Sequence, residues 1–150
     1  MQRFGSQSPS TSKVDILLIE DSDSDALLAE RALSKSGLGS ILHHVWDGDE
    51  AMEFLLQQGQ YVGVGRPRVI LLDVNLPKRS GIELLEESKE HPELRRIPVI
   101  MLTTSKSEED ILRSLDAHAN SFVTKPVTLV EFHKIVMDIE RYWTQVNLQR

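Results

Sequence analysis

The chain has 150 residues, enough for one domain with a proper hydrophobic core, and its 23 acidic and 17 basic residues give a net charge of −6. This charge, without a long Lys/Arg cluster, disfavours direct nucleic-acid binding, and the lack of cysteine excludes disulfides, thiolate metal sites and cysteine nucleophiles. No segment has the roughly 18 consecutive apolar residues of a membrane helix and the N-terminus lacks a secretory signal, so we expect a cytoplasmic protein that does not enter the membrane.

The N-terminal part of the chain predicts a tail followed by a strand. Residues 1–12 are rich in Ser and contain Gly and Pro, which is typical of a disordered tail, and we expect a single domain over 13–150. The apolar run VDILLI at 14–19 predicts the first strand. This strand ends directly at two acids, Glu20 and Asp21.

A helix and a second strand come next. Apolar residues at helical spacing predict a helix over about 24–35, with Gly37 as its stop, and SILHHV at 40–45 predicts the second strand. Capping boxes, in which a carboxylate follows the N-cap by three residues, predict the starts of the remaining helices. These pairs are Asp47 with Glu50, Ser80 with Glu83, Thr128 with Glu131 and, in weaker form, Ser107 with Asp110.

Three further short apolar runs, at 69–73, 98–104 and 121–125, lack the helical period and predict strands. Strands without polar alternation are typical of a parallel sheet that is covered on both faces. Five strands alternating with five helices therefore predict an α/β fold: one doubly wound parallel sheet between two layers of helices, with an extended last helix. The Gly-containing loop at 59–68 carries no recognisable function.

Polar side chains follow the strands of this predicted sheet, although the strands themselves are almost entirely apolar. In an open parallel sheet, the carboxyl ends of the strands form the ligand-binding edge. The residues expected there are Glu20, Asp21, Asp73, Thr103, Thr104 and Lys125. Two carboxylates about 4 Å apart repel by roughly 4 kcal/mol at an effective dielectric of 20, so three together require protonation or a cation.

A hard divalent cation suits such a site, because oxygen ligands completed by water favour Mg²⁺ or Mn²⁺, and these ions commonly bind together with a phosphate. Lys125 and Thr103 could then contact phosphoryl oxygens, and Asp73 could itself be a nucleophile. The alternative is that each acid only caps the helix after its strand, where the helix dipole favours a carboxylate. That alternative does not explain Lys125, so the set as a whole favours a functional site.

Four segments resemble the receiver domain of two-component response regulators, and the resemblance extends over about 13–143. The segments are LIEDS, LLDVNLPKRSG, PVIMLTTS and NSFVTKP, in the order of that family. The stretch DILRSLDAHANSFVTKP and the ending ERYW of the last helix resemble the small standalone regulators that are paired with bacterial phytochrome histidine kinases. The resemblance implies the receiver fold and a phosphoryl group received from a phosphohistidine of such a kinase.

The resemblance also implies a role for each matching residue. Asp73 would accept the phosphoryl group, and Mg²⁺, or Mn²⁺, would bind to Glu20, Asp21, Asp73 and the backbone carbonyl of Asn75. Thr103 and Lys125 would contact the phosphoryl oxygens. Such a protein is a switch with slow self-catalysed phosphoryl transfer and hydrolysis, and we do not expect an enzyme in the ordinary sense.

Further features of the family concern the switch itself. The signal is expected to pass from Thr103 to Phe122, which stands where relatives often have Tyr, although Phe122 could equally be only a core aromatic. Thr104 could crowd the entry to Asp73. The resemblance implies a cis peptide bond between Lys125 and Pro126, and only an X-Pro bond adopts the cis form at low cost.

The last helix suggests a surface for a partner, because its apolar residues continue past the point where the sheet should end. The residues assigned to this surface are Phe132, Ile135, Ile139, Tyr142 and Trp143. We expect a homodimer through the fourth helix, the last strand and the last helix. The alternative is that Trp143 folds back as a lid on the core.

Three other functions fit these residues less well. A flavodoxin-like carrier needs a hydroxyl-rich phosphate loop after the first strand, whereas EDSDSD at 20–25 presents four carboxylates. An aspartate-nucleophile phosphatase needs a second aspartate two residues after the nucleophile, where this chain has Asn75. A degenerate receiver acting as an interaction module independent of phosphorylation would have lost Asp73, Lys125 or the acidic pair, and all are present.

Overall fold

The computed structural model describes the backbone of residues 16–114 and 121–148 and the side chains of 16–112 and 121–141. Within these ranges, five parallel strands form one sheet in the order β2-β1-β3-β4-β5. The strands are β1 (Ile16–Ile19), β2 (Leu42–Val45), β3 (Val69–Asp73), β4 (Val99–Thr103) and β5 (Ser121–Thr124). The helices are α1 (Asp23–Ser36), α2 (Gly48–Leu55), α3 (Gly81–Glu90), α4 (Lys106–Ser114) and α5 (Leu129–Leu148). The predicted doubly wound α/β fold is confirmed.

The sheet separates two apolar layers, and alternate residues of each strand enter opposite layers. In β1, Leu17 and Ile19 join the cluster that includes α2, α3 and Leu112 of α4. Ile16 and Leu18 join the cluster formed with α1 and α5. Because both faces of β1 and β3 are covered, every residue of these two strands is buried. The acids at their carboxyl ends therefore lie at the margin of the core.

Most of the predicted helix boundaries are confirmed. Gly37 ends α1 in the left-handed conformation, with φ of 69°, and Ser80 with Glu83 forms a complete capping box at α3. The prediction for α4 is wrong, because the helix begins at Lys106. The hydroxyl of Ser105 caps it by accepting a hydrogen bond from the N–H of Glu108 at 3.2 Å. The predicted capping pair, Ser107 with Asp110, therefore lies inside the helix.

Two residues that were assigned to the partner surface belong to the core of the chain instead. Phe132 is 2% exposed and Ile139 is 6% exposed, and both pack in the cluster shared with α1. Ile135 is partly buried against the same cluster. The assignment of Phe132 and Ile139 to a dimer surface is therefore wrong, because both pack within the chain in a cluster that includes residues of α1. The homodimer itself stays a prediction.

Several other predictions concern residues that the structure does not describe. The tail at 1–12 and the side chains of Tyr142 and Trp143 lie outside the described residues.

Among the described residues there is no cis peptide bond, so the bond between Lys125 and Pro126 is trans and the predicted cis form is wrong. The trans form is the more stable by about 0.5–1 kcal/mol for an X-Pro bond. In the described part of the chain, no helix is long and apolar enough to cross a bilayer.

The loop at 59–68 is fixed to α2 by its own side chains. It begins with a 3-10 turn at Gly59–Tyr61, and the Tyr61 hydroxyl donates to Glu50 Oε2 at 2.5 Å. The Tyr61 ring packs on Phe54 with the ring centroids 5.0 Å apart. Further along, Arg66 Nε donates to the carbonyl of Leu55 at 2.8 Å. These contacts give the loop a structural role in covering the edge of the core.

Candidate functional site

The carboxyl ends of β1, β3, β4 and β5 bring the predicted polar residues to one edge of the sheet. Glu20 follows β1, Asp73 and Thr103 end β3 and β4, and Lys125 follows β5. The N–H of Lys125 donates to the carbonyl of Thr103 at 2.7 Å, which aligns the last strand with its neighbour. The parallel register thus determines which side chains meet at this edge.

Lys125 is the centre of the site. Its Nζ lies 2.7 Å from Asp73 Oδ2, 2.9 Å from Glu20 Oε1 and 3.0 Å from Asp25 Oδ2. The side chains of Asp73 and Glu20 are only 3% and 2% exposed, so these two ion pairs are largely removed from water. Asp25, in the first turn of α1, was not predicted to belong to the site. One ammonium group is therefore shared among three carboxylates.

Backbone N–H groups hold the two buried carboxylates in place. Glu20 Oε2 accepts from the N–H of Ser22 at 3.1 Å, and Asp73 Oδ1 accepts from the N–H of Asn75 at 2.9 Å. Each carboxylate thus has one oxygen on a loop N–H and the other on Lys125. This arrangement fixes the orientation of the acceptor carboxylate before any ligand binds.

The charges of the site and their burial shift the pKa values of Glu20 and Lys125. Burial, together with the charge of Asp73, raises the pKa of Glu20 to about 7, although the hydrogen bond from Lys125 opposes the shift. Burial lowers the pKa of Lys125, but the hydrogen bonds to Asp73, Glu20 and Asp25 outweigh burial and raise it above its ordinary value. Lys125 is therefore charged at neutral pH, and the site holds more negative than positive charge.

Three carboxylates of this site are close enough to share one metal ion. Glu20, Asp21 and Asp73 each offer one oxygen, and these oxygens lie within 4.8 Å of one another. Glu20 and Asp73 are buried, whereas Asp21 is exposed, so water can reach the ion on one side. An oxygen-only set with room for water fits a hard divalent cation, and the excess negative charge favours it.

The remaining predicted residues lie around this centre in different ways. Thr103 is buried, and its hydroxyl donates to the carbonyl of Val123 at 3.3 Å. Thr104 is exposed, with its hydroxyl 3.4 Å from Glu108 Oε1. Phe122 is half-buried and packs against the core cluster on the α2 and α3 side. The roles of these three residues in switching stay predictions.

Gly81 belongs to the site, although nothing in the sequence analysis singled it out. A Cβ at this position would lie 2.3 Å from the carbonyl oxygen of Asp73 and 2.8 Å from the Cα of Val74. The N–H of Gly81 also donates to the carbonyl of Val74 at 2.9 Å. Only glycine lets the start of α3 approach the acceptor loop so closely. In the sequence, the feature that could have identified Gly81 is its position directly after Ser80, the N-cap of this helix.

Comparison with known proteins agrees with this geometry. The family model described as "Response regulator receiver domain" matches residues 16–137. The response regulator Rcp1 from Synechocystis is 45% identical over 130 residues, which cover 87% of this chain and 88% of that protein.

Solved structures resemble the chain over most of its length. The phosphorylated cyanobacterial phytochrome response regulator RcpA is 43% identical, with a TM-score of 0.78 over 89% of this chain and 96% of that one. The Mn²⁺-bound form of Rcp1 is 45% identical, with a TM-score of 0.75 over 87% of this chain and 94% of that one. The similarity therefore extends over most of the chain, in fold and in overall sequence.

Proposed function

The chain belongs to the response regulator receiver domain family, and on this basis we propose that it accepts a phosphoryl group from a histidine kinase on the Asp73 carboxylate. One observation carries the assignment to Asp73: its carboxylate is buried, oriented by the Asn75 N–H and paired with Lys125 at 2.7 Å. A capping role alone would not need this lysine.

The proposed transfer is a direct displacement at phosphorus. An Asp73 oxygen attacks the phosphorus of the phosphohistidine, the P–O bond forms as the P–N bond breaks, and the imidazole takes up a proton. Lys125 stabilises the charge on the phosphoryl oxygens from a fixed position, which is how proteins accelerate this chemistry. The hydroxyl of Thr103 can turn from Val123 to a phosphoryl oxygen, because its present bond of 3.3 Å is long.

We further propose that the transfer uses Mg²⁺, or Mn²⁺, held by Glu20, Asp21 and Asp73, with the carbonyl of Asn75 as a fourth protein ligand. When bound, such an ion supplies charge neutralisation and orientation for the phosphoryl group. The distances among the three carboxylates support this ligand set. Further support comes from the similar protein Rcp1, which has been solved in an Mn²⁺-bound form.

Mg²⁺ binding is expected to weaken as the pH falls below about 7. Burial raises the pKa of Glu20 to about 7, and a protonated carboxyl group does not bind the ion, so protons compete with the metal below that pH. Affinity should fall by up to about tenfold for each further pH unit. Calorimetric titration with Mg²⁺ across this range measures the effect. The Glu20→Gln variant should bind weakly with little pH dependence, and an affinity of the wild type that does not change between about pH 5.5 and 8 would contradict the assignment of this ligand.

For the partner, we propose a histidine kinase of the phytochrome class and a cytoplasmic location. The proposal rests on the similarity to Rcp1 and to RcpA, a phytochrome response regulator. Turnover should be confined to slow hydrolysis of the protein's own aspartyl phosphate, because Asn75 cannot serve as the acid and base of a phosphatase. The complete set of Glu20, Asp21, Asp73 and Lys125 disfavours the degenerate interaction module.

Phosphoryl transfer from a purified phytochrome histidine kinase tests this partner. The kinase is first phosphorylated with labelled ATP, and transfer of the label to the wild-type chain is then followed over time. As a control, the same transfer is measured from a histidine kinase of another class. The proposal expects faster transfer from the phytochrome kinase. Equal or faster transfer from the other kinase would contradict the partner while leaving the acceptor role intact.

A further inference from the structure

Glu108 takes no part in the proposed transfer, yet its carboxylate joins two loops of the site. Glu108 Oε2 accepts from Asn75 Nδ2 at 2.6 Å, and Oε1 accepts from the N–H of Thr104 at 2.8 Å. The Thr104 hydroxyl lies 3.4 Å from the same Oε1. A single side chain of α4 thus bridges the loop after β3 and the loop after β4.

Both bridged residues are close to the reacting groups. Asn75 donates its backbone N–H to Asp73 Oδ1 at 2.9 Å, so its position determines one hydrogen bond to the acceptor. Thr104 follows Thr103, whose carbonyl accepts from the N–H of Lys125 at 2.7 Å. A displacement of either loop would therefore change the surroundings of Asp73.

The carboxylate of Glu108 is itself well fixed. Its backbone N–H donates to the N-cap hydroxyl of Ser105 at 3.2 Å, which places the side chain in the first turn of α4. Partial burial raises the pKa of Glu108, but hydrogen bonds from Thr104 and Asn75 outweigh burial and hold the pKa below its ordinary value. Hydrogen bonds to a charged acceptor are roughly twice as strong as neutral ones, so the charged form of Glu108 favours the bridge.

We infer that Glu108 is a positioning residue: by tying Asn75 to Thr104 it closes the α4 side of the site and limits the access of small phosphodonors and water to Asp73. The inference rests on the proposed function and concerns what limits the rates of phosphorylation and hydrolysis. Without the bridge, the two loops can separate. Phosphorylation by a small donor and hydrolysis should then both become faster. In hydrolysis, water attacks phosphorus, the bond between phosphorus and the Asp73 oxygen breaks, and phosphate and a proton are released.

The test compares three variants of the full chain with the wild type. Glu108→Ala removes the bridge, and Glu109→Ala makes the same charge change in the same helical turn without touching either loop. Glu108→Gln is the conservative variant, because its amide can accept from the Thr104 N–H and, after a flip of the Asn75 amide, donate to Asn75 Oδ1. Two rate constants are measured for each protein. The first is that of labelling by acetyl phosphate with saturating Mg²⁺, and the second is that of the decay of the aspartyl phosphate after the donor is removed.

Glu108→Ala is expected to raise both rate constants by about threefold or more, while Glu109→Ala and Glu108→Gln stay within about twofold of the wild type. A purely electrostatic effect of Glu108 on the anionic donor would instead make Glu108→Gln as fast as Glu108→Ala in labelling, and would overturn the inference. Equal rates for Glu108→Ala and Glu109→Ala would also overturn it.

A double-mutant cycle with Asn75→Ala identifies the route of the effect. If Glu108 acts through Asn75, the double variant should be no faster than the faster single variant, whereas independent effects would multiply and contradict the inference. Failure of the wild type to be labelled by acetyl phosphate or by a kinase would overturn the proposed function itself, and with it this inference. Normal labelling that is insensitive to Glu108 would overturn only the inference.

Discussion

Replacing Lys125 by Met is expected to slow phosphorylation of Asp73 by at least about 100-fold, the loss typical for removing a preorganised charge that stabilises a transition state. The Lys125 ammonium contacts Asp73, Glu20 and Asp25 at once, so three carboxylates fix its position beside the acceptor. Methionine keeps the apolar stem but leaves the phosphoryl oxygens without a fixed cation. The rate of labelling by acetyl phosphate at saturating Mg²⁺ measures the loss.

The same substitution should also destabilise the metal-free protein. The free energy of unfolding should fall by about 3 kcal/mol, the lower end of the usual range for removing one partner of a buried ion pair. The loss arises because the remaining carboxylates are left buried and unpaired. Added Mg²⁺ should restore part of this stability, since a bound cation offsets the same charge. Lys134→Met, an exposed position on α5, is the control. Urea unfolding that shows equal stability for Lys125→Met and Lys134→Met would contradict the role of Lys125 as the centre of the site.

Replacing Asp73 by Asn is expected to abolish phosphorylation. The amide is close in size to the carboxylate and its oxygen can still accept the N–H of Asn75, but it is not a nucleophile that forms an acyl phosphate under these conditions. The effect is measured on gels, as the transfer of labelled phosphoryl groups from a histidine kinase to each variant. Asp138→Asn, the same change at an exposed position of α5, should be labelled like the wild type. Labelling of Asp73→Asn at the rate of Asp138→Asn would show that the acceptor lies elsewhere.

The residues of the site that the sequence identified are those that stand directly at strand ends. Parallel strands end at the same edge, so the acids after β1 and β3 and the lysine after β5 had to meet once the strands were recognised. Asp25 was not identified, because its approach to Lys125 depends on the course of the loop before α1 and on the capping of that helix by Ser22. The run EDSDSD showed the excess of acid without showing which members face inward.

Glu108 was missed for a different reason. Ser105 and Glu108 have the spacing of a capping box, but the pair Ser107 with Asp110 has it as well, and spacing alone cannot choose between them. Backbone geometry places the N-cap at Ser105, and the side chain of Glu108 then reaches back to the N–H of Thr104.

The incorrect predictions concern choices with small energy differences or several possible partners. Cis and trans X-Pro bonds differ by about 0.5–1 kcal/mol, so the sequence before Pro126 does not determine the isomer. An apolar helix stripe can be covered by the same chain or by another one. In α5, helix α1 covers Phe132 and Ile139, and only the three-dimensional packing identifies it as the partner.

The central claim is that Asp73 receives a phosphoryl group in a metal-dependent reaction, and the intact-protein mass of the wild type after incubation with acetyl phosphate tests it most directly. With Mg²⁺ we expect a gain of one phosphoryl group, located by fragment mass spectrometry to the peptide that contains Asp73 and absent when EDTA replaces the metal. A phosphoryl group on another residue would contradict the claim, as would no gain with either acetyl phosphate or a phosphorylated phytochrome kinase as donor.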